Sequence, residues 1–168
     1  MRKALLSLLV LVAVLATVGP AAAGTNRNFV AHLSGDEEVP ARDTQAQGQA
    51  IFHLSKDGTA LSYKLIVANI ENVVAAHIHC GAVGVNGPVG VTLFTAGPGG
   101  GRVDGVLAEG SVTASDPGNS CGWTDLDSVV AAMRSGDTYV NVHTNDGVPP
   151  TNTGPGDFPG GEIRGQIH

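Results

Sequence analysis

The chain has 168 residues, the length of a single domain, of which 14% are charged and 4% aromatic. Its hydrophobic content of 42% excludes intrinsic disorder, and its 24 glycines lack the three-residue period of collagen. The net charge is −6 and no Lys/Arg cluster follows the first three residues, which argues against nucleic acid as a partner.

The N-terminal segment predicts export. Cations at positions 2 and 3 precede an uncharged apolar run, Ala4 to Val18, and the small residues Ala21 to Ala23 fit a cleavage site. The run is shorter than the roughly 20 residues that a membrane-spanning helix needs. We therefore predict a signal peptide over residues 1–23, one mature domain over residues 24–168, no membrane anchor, and a secreted or periplasmic location.

Alternating apolar and polar residues next predict short strands separated by Gly-rich turns. In the clearest run, Leu61, Tyr63 and Leu65 face one way, whereas Ser62 and Lys64 face the other. The predicted strands cover residues 28–33, 47–54, 59–68, 73–80, 89–95, 102–113, 138–144 and 162–167.

One helix is predicted over residues 125–135, between the sixth and seventh strands. Its apolar residues recur at i, i+3, i+4 and i+7, namely Leu126, Val129, Val130 and Met133. Thr124 or Asp125 can cap its start, and Gly136 can end it. The pattern as a whole predicts an all-β fold, an antiparallel Greek-key sandwich or barrel of about eight strands with one short helix.

The two cysteines, Cys80 and Cys121, both lie in the predicted mature domain. In an oxidising compartment such a pair is expected to form one disulfide. The alternative is that Cys80, which directly follows His79, is a thiolate ligand of a metal ion.

The chain has six histidines, and three of them are the main candidates for a functional site. His77 and His79 are two residues apart on a strand and therefore share a face, while Ala76 and Ile78 take the core face. On its own strand, His143 also points away from the core, because Val140 and Val142 take the core face. If the two strands are neighbours, three imidazoles converge on one surface spot and form a copper or zinc site.

The alternative is that these imidazoles are exposed and solvated, or hydrogen-bonded to nearby loops. His32 and His53 are interpreted as structural or exposed residues, and His168 ends the chain. No local context marks a catalytic nucleophile, so no catalytic residue is assigned.

Two acidic segments are of interest. Asp36, Glu37 and Glu38 form a short run that is interpreted as a solvated turn. Asp146 follows the predicted strand of His143 and is a candidate hydrogen-bond partner for a liganding histidine, or else an exposed loop acid.

Several segments together resemble the CHRD domain, a family named after chordin. Residues 76–81 and 84–89 are similar to its signature, residues 139–144 and 158–166 complete it in order, and residues 29–40 are similar to its usual opening. The resemblance covers about residues 28–167 and implies a secreted β-rich domain. In chordin such domains belong to an extracellular antagonist of growth factors, whereas stand-alone members imply no settled biochemical role.

A weaker resemblance is to Cu/Zn superoxide dismutase. Residues 75–79 are similar to the copper-site strand of that family, and residues 140–146 to its late copper-ligand strand. By this analogy His77, His79 and His143 are copper ligands. The zinc loop of that family is missing, and no bridging histidine follows His79 at a short distance.

The leading hypothesis is a secreted, non-enzymatic CHRD-domain protein that binds a copper or zinc ion, or an unknown extracellular ligand, at its three histidines. One alternative is a copper-dependent oxidoreductase of superoxide dismutase type. Another is a metal-free extracellular module with a structural or interaction role.

Overall fold

A computed structural model of the protein describes residues 26–168, and the predicted signal peptide lies outside them. Within these residues the chain forms eight strands, one α-helix and a short 3₁₀ helix, Gly35–Glu37. The strands are β1 (Asn28–Ser34), β2 (Gln47–Leu54), β3 (Leu61–Glu71), β4 (Val73–Cys80), β5 (Val89–Thr95), β6 (Arg102–Val112), β7 (Thr138–Thr144) and β8 (Ile163–Gln166), and the helix is α1 (Leu126–Ser135).

All eight strands belong to one antiparallel sheet, in the order β5-β4-β7-β8-β1-β2-β3-β6. The edge strands β5 and β6 approach each other. The hydroxyl of Tyr63 on β3 donates to the carbonyl of Leu93 on β5 at 2.7 Å, which ties the two edges of the sheet. The sheet is therefore barrel-like and nearly closed, and the predicted all-β fold of about eight strands and one helix is confirmed.

Alternation along the strands determines which side chains enter the core. On β4, Ala76 and Ile78 are fully buried and belong to the central apolar cluster. On β7, the buried core residues are Val140 and Val142. The residues between them point to the other face of the sheet, as the period of two requires.

Strand β3 is the element whose predicted boundaries differ most from the structure, because it continues to Glu71 instead of ending at Ala68. An irregularity in its pairing with β6 lies between Val67 and Ile70. There Asn69 has a φ of 56° and donates its backbone N–H to Asp104 at 2.7 Å. The bulge interrupts the alternation that the prediction relied on, although the strand itself continues.

The predicted helix is confirmed, together with the residues predicted to cap its start and to end it. Asp125 caps α1 by accepting a hydrogen bond from the backbone N–H of Ser128 at 2.8 Å. Gly136 ends it in the left-handed conformation, with a φ of 76°. The four apolar residues of its stripe are all buried. Within residues 26–168, no helix combines the length and apolarity that crossing a membrane requires.

Cys80 and Cys121 form a disulfide, with their Cα atoms 5.8 Å apart. It ties the end of β4 to the loop before α1. Because both sulfur atoms are used in this bond, the alternative of a Cys80 thiolate ligand does not apply to this structure.

Replacing both cysteines with alanine is expected to lower the free energy of unfolding by about 4 kcal/mol, because the bond closes a long loop, 41 residues in sequence separation, in the unfolded chain. Urea unfolding of C80A/C121A against the oxidised wild type measures the difference. A loss below about 1 kcal/mol would contradict this expectation.

Candidate metal centre

The structure brings the three predicted histidines together. His77 and His79 project from β4 and His143 from β7, and these strands are direct neighbours in the sheet. The register pairs Ala75 with His143 and His77 with Asn141, so the three imidazoles lie on adjacent rows of one face. One nitrogen from each ring lies within 4.8 Å of the others.

Two of the rings are oriented by backbone carbonyls. His79 donates its Nδ1–H to the carbonyl of Gly87 at 2.9 Å, and His143 donates its Nδ1–H to the carbonyl of Pro159 at 2.9 Å. Each neutral ring therefore keeps a lone pair on Nε2. The Nε2 of His79 is buried and has no hydrogen-bond partner among residues 26–168. A buried nitrogen acceptor without a partner fits a position where a metal ion binds.

His77 completes the cluster through a hydrogen bond between rings. Its Nδ1 lies 3.1 Å from Nε2 of His143. Since the lone pair of His143 is on Nε2, the proton of this hydrogen bond belongs to Nδ1 of His77. A metal ion at this position would take the place of that proton, provided that His77 carried its proton on Nε2 instead. The metal would be bound by Nδ1 of His77 and by Nε2 of His79 and His143.

The site is more enclosed than the predicted surface spot. His79 is only 7% exposed, and His77 and His143 are half-buried. The ring of His79 stacks on Tyr139, with centroids 4.8 Å apart and planes within 10°. The outward face of β4 and β7 is covered because the loops after β4 and β7 fold back over it, a feature that strand periodicity does not report.

Arg164 on β8 holds the loop after β4 in place. It is 1% exposed, and its guanidinium lies 3.5 Å from the centre of the Tyr139 ring. It donates hydrogen bonds to the carbonyls of Ala82 and Val85 at 3.2 and 3.0 Å. Arg164 therefore fixes the loop that carries the Gly87 carbonyl, the partner of His79.

The close approach of this loop requires glycine at position 87. A Cβ on Gly87 would lie 1.6 Å from the carbonyl oxygen of Cys80, which no side chain can occupy. The backbone N–H of Gly87 also donates to the hydroxyl of Tyr139 at 3.0 Å. Gly87 is thus held from two sides while its carbonyl orients His79.

Burial keeps the three imidazoles neutral. Desolvation, reinforced by the neighbouring histidines, lowers the pKa of His77 and of His79 from 6.5 to about 4. Desolvation also lowers the pKa of His143, against the opposing effect of its hydrogen bond to Pro159. At neutral pH all three rings are therefore in the form that binds metals.

Glu38 differs from the prediction of a solvated acidic turn. Asp36 and Glu37 are exposed, but Glu38 is only 6% exposed and accepts a hydrogen bond from Asn141 at 3.3 Å. Burial raises the pKa of Glu38 from 4.5 to about 7, although the charges of Arg164 and Arg42 oppose the shift. The 3₁₀ helix turns this residue inward, towards the face of the sheet that carries the histidines.

Asp146 is not the hydrogen-bond partner of a histidine. Its carboxylate accepts from the backbone N–H of Val148 at 2.8 Å and stabilises a turn. The Nδ1–H groups of His79 and His143 go to backbone carbonyls instead. His32, His53 and His168 are exposed and lie outside the cluster.

Sequence reasoning missed two residues that support the cluster, Tyr139 and Arg164, and the burial of Asn141, which pairs with His77 across the strands. Tyr139 and Asn141 have the same phase on β7 as His143, so the alternation that singled out His143 also points to them. The sequence does not show that both side chains are buried, each with only 2% of its surface exposed. A polar residue on the outward face of a strand reads as solvated until the covering loops are known.

Comparison with known proteins gives one family. The sequence profile described as CHRD domain matches residues 29–167. No curated protein matches the chain, and no solved structure matches it.

Proposed function

The chain belongs to the CHRD domain family, and from that premise we propose that it is a secreted binding module that holds a copper or zinc ion with His77, His79 and His143. The observation that carries the proposal is the convergence of three neutral imidazole nitrogens within 4.8 Å of one another. Imidazole is a ligand suited to both metals.

The surroundings of the rings support a metal site over a chance cluster. Metal-bound histidines usually donate their second ring N–H to a carbonyl or carboxylate, which fixes the ring and makes the ligand more basic. His79 and His143 already do so through Gly87 and Pro159. The unpartnered Nε2 of His79 gains a partner when an ion binds.

Export is part of the same proposal. The predicted signal peptide over residues 1–23 directs the domain of residues 24–168 out of the cytoplasm. The disulfide between Cys80 and Cys121 fits an oxidising compartment. The partner is an extracellular ligand of unidentified chemistry, and nucleic acid is disfavoured by the net charge of −6.

Metal content of purified protein tests the site. After loading with Cu²⁺ or Zn²⁺ and dialysis, wild type is expected to retain about one ion per chain, and H77A/H79A close to none. H53A is the matched control, because His53 is exposed and outside the cluster. Circular dichroism shows whether each variant is folded, and H143Q is the second variant in case H77A/H79A is not.

Equal, sub-stoichiometric metal in wild type and in the folded histidine variants would overturn the proposal and favour a metal-free module. If copper binds, a superoxide dismutation assay decides about the alternative enzyme. Activity that disappears in H143Q would favour an oxidoreductase over a binding module.

A further inference from the structure

The three-histidine cluster offers an ion only uncharged protein donors. All of its donors are neutral nitrogens, and no carboxylate or thiolate within residues 26–168 joins them in the cluster. The sulfur atom of nearby Cys80 is in the disulfide, and the carboxylate of Asp146 is bound to a backbone N–H. The ligands therefore contribute no negative charge to offset a bound cation.

Charges beyond the ligands cancel each other. Asp116 lies on the side of His77, where it accepts a hydrogen bond from Thr92 at 2.6 Å, and Thr92 is the cross-strand neighbour of His77. Arg164 lies on the side of His79, over the Tyr139 ring on which His79 stacks. Asp116 and Arg164 offset each other, and Glu38 on the same face interacts with the cations Arg164 and Arg42. No net negative charge therefore surrounds the ion in this largely enclosed place.

Burial of such an ion costs more for a dication than for a monocation, because the desolvation penalty grows steeply with charge. The number of ligands points the same way. Zn²⁺ held by three histidines completes its tetrahedron with a water molecule, and Cu²⁺ favours tetragonal sites, so each of these dications needs a ligand beyond the three rings. Copper(I) is the common metal ion that three neutral nitrogens satisfy in a trigonal arrangement.

The spacing of the nitrogens is close to what such an arrangement needs. Metal–nitrogen bonds of about 2.0 Å at trigonal angles place the nitrogens about 3.5 Å apart. Nδ1 of His77 and Nε2 of His143 are 3.1 Å apart, and the widest separation in the cluster is within 4.8 Å. Closure on an ion requires a shift of about an ångström by one ring.

We propose that the site of His77, His79 and His143 takes copper as Cu(I), in preference to Cu(II) and Zn(II). This inference rests on the proposed function, because it names the ion for the same three side chains. The protein is then a carrier or store of reduced copper, which it receives already reduced, and Zn(II) in its surroundings does not displace that copper.

The test measures affinity for each ion separately. Cu(I) is kept reduced by ascorbate without oxygen and is competed with bathocuproine disulfonate. Cu(II) and Zn(II) are competed with nitrilotriacetate. We expect the dissociation constant for Cu(I) to be lower than that for Cu(II) by about 100-fold, which raises the potential of the bound copper couple above that of free copper by about 120 mV at 59 mV per tenfold.

Ala75 offers a charge test of the same idea. It shares the face of His77 and pairs with His143 across the strands, so Ala75→Asp places a carboxylate beside the cluster. A75D is expected to reduce the preference for Cu(I) over Cu(II) by about tenfold or more. A75N, similar in size but uncharged, is expected to keep the wild-type preference.

The outcomes separate the two proposals. Cu(II) bound as tightly as Cu(I), with an unshifted potential and histidine-dependent binding, would overturn this inference and leave the metal site in place. If none of the three ions bound in a histidine-dependent way, the proposed function itself would be overturned. A75D and A75N with the same preference would show that charge does not set the selectivity.

Discussion

Alanine in place of Gly87 is expected to weaken metal binding by about 10- to 100-fold while the sheet remains folded. The new Cβ would lie 1.6 Å from the carbonyl oxygen of Cys80, so the loop after β4 has to move away from the strand. That movement withdraws the Gly87 carbonyl from Nδ1 of His79. The ring then loses the hydrogen bond that aims its Nε2 at the metal.

The effect should be on the site more than on the core. Gly87 lies in a loop, and the buried apolar cluster does not include it. Competition with a chelator for Cu(I) or Zn(II) gives the affinity, and thermal unfolding of the metal-free protein gives the stability. Gly97→Ala is the matched control, because a Cβ at that loop position meets nothing within 4 Å.

An unchanged affinity in G87A, with G97A also unchanged, would show that the carbonyl of Gly87 does not orient a metal ligand. Unfolding of G87A would instead assign the glycine a purely structural role. In that case Tyr139→Gln tests the position of the same loop. This variant removes the hydroxyl that accepts a hydrogen bond from the backbone N–H of Gly87 at 3.0 Å.

Glu38→Gln is expected to stabilise the protein at alkaline pH by up to about 3 kcal/mol, at about 1.4 kcal/mol for each pKa unit. The pKa of Glu38 is raised from 4.5 to about 7 by burial. Between these values the folded protein holds a proton that the unfolded chain has released. The contribution of Glu38 to the stability of the wild type is therefore fully present below pH 4.5 and is lost as the pH rises through about 7.

Glutamine at position 38 stays neutral at every pH, so the variant does not lose stability when the pH rises through 7. Oε1 of Glu38 and Oδ1 of Asn141 are both buried without a hydrogen-bond partner in the described part of the chain. The amide of glutamine supplies a donor where the carboxylate has none, and its oxygen still accepts from Nδ2 of Asn141. The gain of E38Q over wild type is thus small at pH 4.5 and largest above pH 7.

The difference between variant and wild type is the quantity to measure, by urea unfolding of the metal-free proteins from pH 4.5 to 8.5. The histidines act in the opposite direction, because a lowered pKa makes stability fall as the pH drops below 6.5. Subtraction removes their contribution. Glu37→Gln is the control, since Glu37 is exposed. A gain of E38Q that does not change with pH would contradict a buried, protonated Glu38.

Much of the fold follows from the sequence because it is encoded locally. A period of two identified the strands, and a capped stripe of apolar residues identified α1. The same alternation placed His77, His79 and His143 on the face opposite the core. The largest boundary difference arose at the bulge of β3, where Asn69 breaks the pattern without ending the strand.

Other features depend on which segments meet in space. Adjacency of β4 and β7 is a long-range pairing, and the convergence of the histidines depended on it. Burial of Glu38 inside a run of three acids was unexpected, because the neighbours that bury it, Asn141 and Arg164, are more than 100 residues away.

The sequence by itself therefore determined the class of fold, the family resemblance and the three side chains that share a face. Only the tertiary structure decided that this face is covered and that Gly87 and Pro159 aim the rings. It also decided that burial lowers the pKa of the imidazoles and raises that of Glu38 to about 7. The physical reason is that the local backbone sets the direction in which a side chain points. The desolvation of that side chain and the orientation of its ring depend on loops that pack over it from elsewhere in the fold.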